Sequence, residues 1–142
     1  MIDPECCIAL VDSHKKEEHD LIYASSNEGW PYGSAAELIS KTALKVINLE
    51  AKDQVYKEHT IPYFFDNPEK FSIKKLQSPA SVLRPNYYFT VDFPEDLELI
   101  RKIFKTLKNE GDYFTFRRVI KLIDENQEFL NINQHLHSGF DR

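Results

Sequence analysis

The run Tyr87-Tyr88-Phe89-Thr90-Val91-Asp92-Phe93-Pro94-Glu95-Asp96-Leu97-Glu98 carries the densest chemistry in the chain. It reads as an aromatic and β-branched strand, Tyr87 to Asp92, that ends in a carboxylate just before a proline-started helix. Open α/β sheets bind ligands at such strand ends, and Mg²⁺ typically takes one or two carboxylates there together with substrate phosphate oxygens. Asp92 therefore has two readings, as a metal ligand or as a cap for the helix that begins at Pro94. Glu95, Asp96 and Glu98 read first as acids complementing the dipole of that helix. His59 could orient a ligand hydroxyl or phosphate, but among Val55, Ile61 and Tyr63 it reads more readily as a hydrogen-bonded packing residue. His14 and His19 fall off one helical face, and His135 and His137 lie near the chain end, so no histidine is assigned to a metal. Cys6 and Cys7 are adjacent, which excludes a loop-closing disulfide and a zinc spacing.

The elements that must position these groups follow from caps and periodicity. Asp3, Pro4 and Glu5 start a helix expected to run to about His19. Leu21 to Ala24 is a short strand, and Ser25 to Gly33 is a loop of turn residues with Trp30 and Tyr32 embedded in it. Those two aromatics read as ligand contacts or, more readily, as exposed members of a subunit interface. A strand over Ala35 to Ile39 precedes a helix capped by Ser40, and a second helix runs from Asp53 to the stop at Asn67-Pro68. Phe71 to Leu76 is a further strand. The helix from Pro94 carries an apolar face, Leu97, Leu99, Ile100, Ile103, Phe104 and Leu107, and ends at Gly111. Two shorter helices, Phe116 to Asp124 and Glu128 to about Leu136, complete an alternation of strands and helices that argues for an α/β layer architecture.

Composition bounds the function. At 142 residues, 42% hydrophobic and 29% charged, the chain is sized for one globular domain with a single core. No apolar run approaches the roughly 18 residues of a membrane span, and the acidic start is not a signal region, so the reading is cytoplasmic with no membrane partner. A net charge of -5 without a basic face excludes nucleic acid as the expected partner.

Four segments then resemble one family in the same order. Thr90-Val91-Asp92-Phe93-Pro94-Glu95-Asp96-Leu97-Glu98 is similar to the closing motif of sugar cytidylyltransferases related to spore-coat polysaccharide synthesis proteins. Pro31-Tyr32-Gly33 with Glu37-Leu38-Ile39-Ser40 resembles the family's Pro-x-Gly-x-x-x-Glu segment. Glu58-His59-Thr60-Ile61-Pro62-Tyr63 with Asn67-Pro68-Glu69 resembles its Glu-His-Val-Thr-Pro-Tyr helix, and Glu128 to Asn133 its terminal helix. Ala35 stands where many relatives have an acid, and Tyr88 where many have an arginine. These departures imply either a different sugar or relaxed selection.

The resemblance implies a partial three-layer α/β/α fold, nucleotide-diphospho-sugar transferase-like and Rossmann-like, with a dimerisation arm. It implies sugar contacts from Glu37 and His59, Mg²⁺ held partly by Asp92 in a complete site, and CTP and a sugar, first of all an acidic one, as substrates. Ile2-Asp3-Pro4-Glu5 is similar to the end of a family stretch, Gly-Asp-x-Pro-Leu-Ile-Asp-Pro-Glu. The family's triphosphate-gripping loop, cytosine pocket and first metal-binding aspartate precede that stretch, and the four glycines here form no phosphate loop. The expectation is the carboxy-terminal portion of a cytidylyltransferase, inactive alone, pairing as a homodimer through Trp30, Tyr32 and residues 53 to 80 or with a complementing amino-terminal segment. The rival expectation is a non-catalytic binding or assembly module left by gene truncation or splitting.

Overall fold

A computed structural model describes residues 1–108 and 115–137. Its first helix, α1 (Pro4–Lys16), starts as the capping pattern requires. The Asp3 carboxylate accepts the Glu5 N–H at 2.9 Å and Pro4 occupies the first turn. Strand β1 (Leu21–Tyr23) follows, then β2 (Glu37–Ile39), then α2 (Lys41–Glu50). Ser40 caps α2 by accepting the Ala43 N–H at 3.0 Å, and its hydroxyl donates to Asp20 at 3.0 Å, tying the helix start to the entry of β1.

The helix expected from Asp53 to Asn67 is two helices, α3 (Gln54–Glu58) and α4 (Ile61–Asp66). The break falls at His59-Thr60 because Pro62 has no N–H to continue the ladder and sits comfortably only in a first turn. Strand β3 (Ile73–Lys75), α5 (Pro94–Lys108), α6 (Phe116–Glu125) and α7 (Gln134–His137) complete the order. The expected terminal helix is instead a 3₁₀ segment, Gln127–Ile132, followed by the single turn of α7. The expected end of α5 at Gly111 lies outside the described residues.

The three strands form one sheet in the order β2-β1-β3, with β1 antiparallel to β2 and parallel to β3. The pleat of β1 divides the interior. Ile22 faces a core built with Cys6 and Leu10 of α1, Leu99, Ile103 and Leu107 of α5, and Val119 and Ile123 of α6. Leu21 and Tyr23 face a second core with Ala43 and Ile47 of α2 and Tyr63 and Phe64 of α4. Helices thus cover both faces of the sheet, giving three layers. On α5 the buried stripe is Leu99, Ile103 and Leu107, whereas Leu97 and Phe104 of the expected face are exposed. Among the described residues no helix is long and apolar enough to cross a membrane.

Two expectations are corrected here. Tyr87 to Val91 does not join the main sheet; it makes an isolated parallel bridge, Tyr32 to Tyr88, with the Tyr32 N–H on Tyr87 O at 2.8 Å and the Phe89 N–H on Tyr32 O at 2.7 Å. Its side chains alternate as a strand's would, with Tyr87 and Phe89 buried. The backbone beside it is a turn, and the segment is held by side chains: Tyr87 Oη donates to Asp124 at 2.7 Å, and Phe89 packs edge-on against Phe116. Trp30 is not an exposed interface residue. It is 1% exposed, inside the larger core, because its indole N–H reaches Leu76 O at 2.8 Å and so loses nothing on burial.

Candidate functional site

At the carboxyl end of β1 the chain leaves the sheet through Ala24, Ser25 and Ser26 and returns through Pro31-Tyr32-Gly33. These turns, with Ala35, Glu37 and Thr90, enclose a cleft of about 240 Å³. Its position is the one that open α/β sheets use for ligands. A larger hollow, about 500 Å³, lies among Leu44, Ile47, Asn48, Ala51, Tyr56, Lys57 and Thr60, but its walls carry no carboxylate. The smaller cleft is the chemical candidate because polar and titratable groups converge there.

Each wall is fixed by a local device. Ser25 donates to the buried Glu28 carboxylate and accepts the Asn27 N–H at 3.2 Å, while Lys75 of β3 meets Glu28 at 3.4 Å. Gly33 has φ +77°, and a Cβ placed there would lie 2.6 Å from Thr90 N, so only glycine lets the two walls touch. Glu37 pairs with Tyr23 across the β1–β2 ladder and lines the cleft. Although Glu37 is an exposed residue, loss of water around its carboxyl pushes the pKa above the ordinary glutamate value.

The Thr90 hydroxyl oxygen is buried and has no hydrogen-bond partner among the described residues. An unsatisfied buried hydroxyl costs free energy. Thr90→Val, nearly the same in shape, is therefore expected to leave the urea midpoint unchanged or to raise stability by about 1 kcal/mol. A loss of that size instead would show that the hydroxyl is bonded in the folded chain.

Asp92 lies two residues beyond Thr90 and is exposed. Its N–H donates to Asp96 at 3.0 Å. Asp96 is the buried acid of the motif, with no exposed surface. It accepts the Asp92 and Phe93 N–H groups at 3.0 Å each, the Asn133 amide at 2.8 Å and His137 Nε2 at 2.9 Å. Burial raises its pKa, but the hydrogen bonds from His137, Asn133 and the two backbone N–H groups outweigh burial and hold it below the usual carboxylate range.

The sequence-predicted residues thus divide. Glu37 lines the cleft with Thr90, and Asp92 follows on the same segment. His59 does not line it: it ends α3 with its side chain 67% exposed, 3.8 Å from Glu58, so it is not the packing residue expected. Sequence reasoning missed Asn133 and His137, which meet Asp96 from 37 and 41 residues away. Their spacing of four, which would put an amide and an imidazole on one face of a helix, was the available signal, although Asn133 sits in the turn just before α7.

No protein-family model matches the chain. It is 23% identical over 128 residues to the spore coat polysaccharide biosynthesis protein SpsF of Bacillus subtilis (strain 168), covering 89% of this chain and 52% of SpsF. It is 27% identical over 106 residues to the uncharacterized protein MJ1063 of Methanocaldococcus jannaschii, covering 73% of this chain and 42% of that protein. The chain spans about half the length of the curated relatives it matches. Among solved structures it is similar to a cytidylyltransferase from Leptospira borgpetersenii serovar Hardjo-bovis (strain JB197). The TM-score is 0.78 at 19% identity, over 90% of this chain and 53% of that one. The three layers and these likenesses agree: the chain is similar to SpsF and is built on part of the fold of that cytidylyltransferase.

Proposed function

We propose that this chain forms the sugar-side, carboxy-terminal part of a site that transfers CMP from CTP to a sugar for surface polysaccharide synthesis, in the cytoplasm. The observation that carries the reading is the cleft where Tyr32, Gly33 and Glu37 of one family-like segment meet Thr90 of another at one strand end. In the proposed reaction a sugar hydroxyl attacks the α-phosphate of CTP and pyrophosphate leaves. Glu37 would accept hydrogen bonds from sugar hydroxyls, and Asp92 would offer its carboxylate to Mg²⁺. Among the described residues no group of three His, Cys, Asp or Glu could hold an ion. Asp92, exposed and two residues from the cleft wall at Thr90, would serve Mg²⁺ as a single carboxylate in a site completed by substrate phosphate. When bound, the ion supplies charge neutralisation on the phosphates. His59 lies outside the cleft lining and would have to meet sugar from α3.

Exposed Ile8 and Val11, one turn apart at 61% and 43% exposure on α1, favour a covering segment, whether from a complementing amino-terminal part or a second copy. The same exposure would suit a non-catalytic assembly module, so activity decides between them. The isolated chain is expected to release no pyrophosphate from CTP with a panel of acidic sugars. Co-expression with the amino-terminal segment of a relative is expected to restore turnover, and Asp92→Ala should then cut it by about 10²-fold or more with the unfolding midpoint unchanged. Turnover by the isolated chain would overturn the partial-site reading. A complemented enzyme indifferent to Asp92→Ala would refute the metal role, and complementation that restores nothing would favour the assembly module.

A further inference from the structure

Asp96 is the third residue of α5, where an acid ordinarily reaches back to the helix start and stays in water. Here one carboxylate oxygen takes the Asp92 and Phe93 N–H groups, while the other, fully buried, takes two donors from the end of the chain. Those donors also grip the preceding segment. The Asn133 amide has a second bond to Tyr88 O at 3.1 Å. The His137 ring stacks on Tyr88 with centroids 4.5 Å apart and an interplanar angle of 8°, and Phe93 meets its edge at 5.9 Å. Held ionised by these donors, the Asp96 carboxylate only accepts, which calls for a proton on His137 Nε2.

The segment 88–93 is thus held at three backbone atoms, Tyr88 O, Asp92 N and Phe93 N, on the side away from Tyr32. On the other side its Phe89 N–H bonds Tyr32 O, and Thr90 between these anchors forms a cleft wall. We propose that Asp96, Asn133 and His137 are positioning residues, through which the end of the chain sets the place of Thr90 in the wall of the ligand cleft and of Asp92 two residues beyond it. The proposal rests on reading that cleft as the ligand site, and it adds to it a part of the chain that lines none of it. An isolated helix cap would need neither a buried carboxylate nor partners some forty residues away.

The test uses the full 142-residue chain without ligand. In His137→Ala, amide hydrogen exchange at Asp92 and Phe93 is expected to quicken at least 10-fold while Leu21 to Tyr23 of β1 is unchanged. The amide resonances of Thr90 and Gly33 should shift in the same variant. His137→Gln, which can donate from a comparable position, is expected to restore both. Unchanged exchange at Asp92 and Phe93, or equal acceleration throughout both cores, would overturn the positioning role. Failure of the functional reading looks different, since the exchange pattern would be as expected while the complemented protein shows no turnover.

Discussion

Asp96→Ala is expected to lower the unfolding free energy of the chain by about 3–5 kcal/mol, the range for removing one member of a buried hydrogen-bonded charge network. The loss is large because four donors, the Asp92 and Phe93 N–H groups, the Asn133 amide and the His137 imidazole, lose their shared acceptor inside the protein. Asp92→Ala and Glu95→Ala, four and one residues away on the same motif, remove carboxylates outside the core and should change stability by no more than about 0.5 kcal/mol. Urea unfolding of the three variants, with equal slopes, measures the contrast. The dependence on pH has a definite sign. The folded carboxyl titrates below its unfolded value of about 3.9, so the unfolded chain binds the proton first as the pH falls. The stabilisation is fully present above that value and is lost as pH drops through the lower, folded value. Parent and Asp96→Ala should therefore differ most near neutrality and converge in acid. A difference below 1 kcal/mol at neutral pH would show that Asp96 is an ordinary cap.

Local grammar explains why some of this could be read from sequence and some could not. Caps are written within four residues, so Asp3-Pro4, Ser40 and Pro94 marked α1, α2 and α5 correctly. The three strands of the sheet were legible from local sequence too, Leu21 to Tyr23 as a short apolar run and Glu37 to Ile39 and Ile73 to Lys75 as short segments with β-branched or aliphatic residues between turn or cap residues. Tyr87 to Asp92 misled because β propensity reports a fit to a pleated, half-buried surface and not the presence of a pairing strand. Its partner is one turn of the Pro31-Tyr32-Gly33 loop, which no periodicity announces. Trp30 failed likewise: a large aromatic beside Pro and Gly reads as exposed until the Leu76 carbonyl that satisfies it is known. At the site, Glu37 came from resemblance, since its spacing alone carries no chemistry. Asp96, taken for a dipole acid, owes its burial to Asn133 and His137, contacts that only the tertiary fold creates.

Gly33→Ala is the second variant with a large expected effect, and it separates strain from simple crowding. Gly33 sits at φ +77°, where a side chain costs about 1–2 kcal/mol. The new Cβ would also lie 2.6 Å from Thr90 N, 2.8 Å from Thr90 Cγ2 and 2.9 Å from Phe89 C. Two of these are backbone atoms, and they belong to the segment pinned behind by Asp96 and Asn133 and in front by the Phe89 N–H bond to Tyr32 O at 2.7 Å. They cannot retreat without breaking one of those bonds, so crowding adds about 1–3 kcal/mol. The sum, about 2–5 kcal/mol, should appear as a lower urea midpoint. Gly29→Ala provides the comparison. It shares the positive φ, at +90°, but its Cβ would meet Leu83 Cδ1 and Ser78 Oγ, side-chain atoms of which exposed Leu83 can swing away. Its cost should stay near the backbone term of about 1–2 kcal/mol. If Gly33→Ala proves no worse than Gly29→Ala, the turn and segment 88–93 move as independent loops, and the cleft between them is not a fixed site.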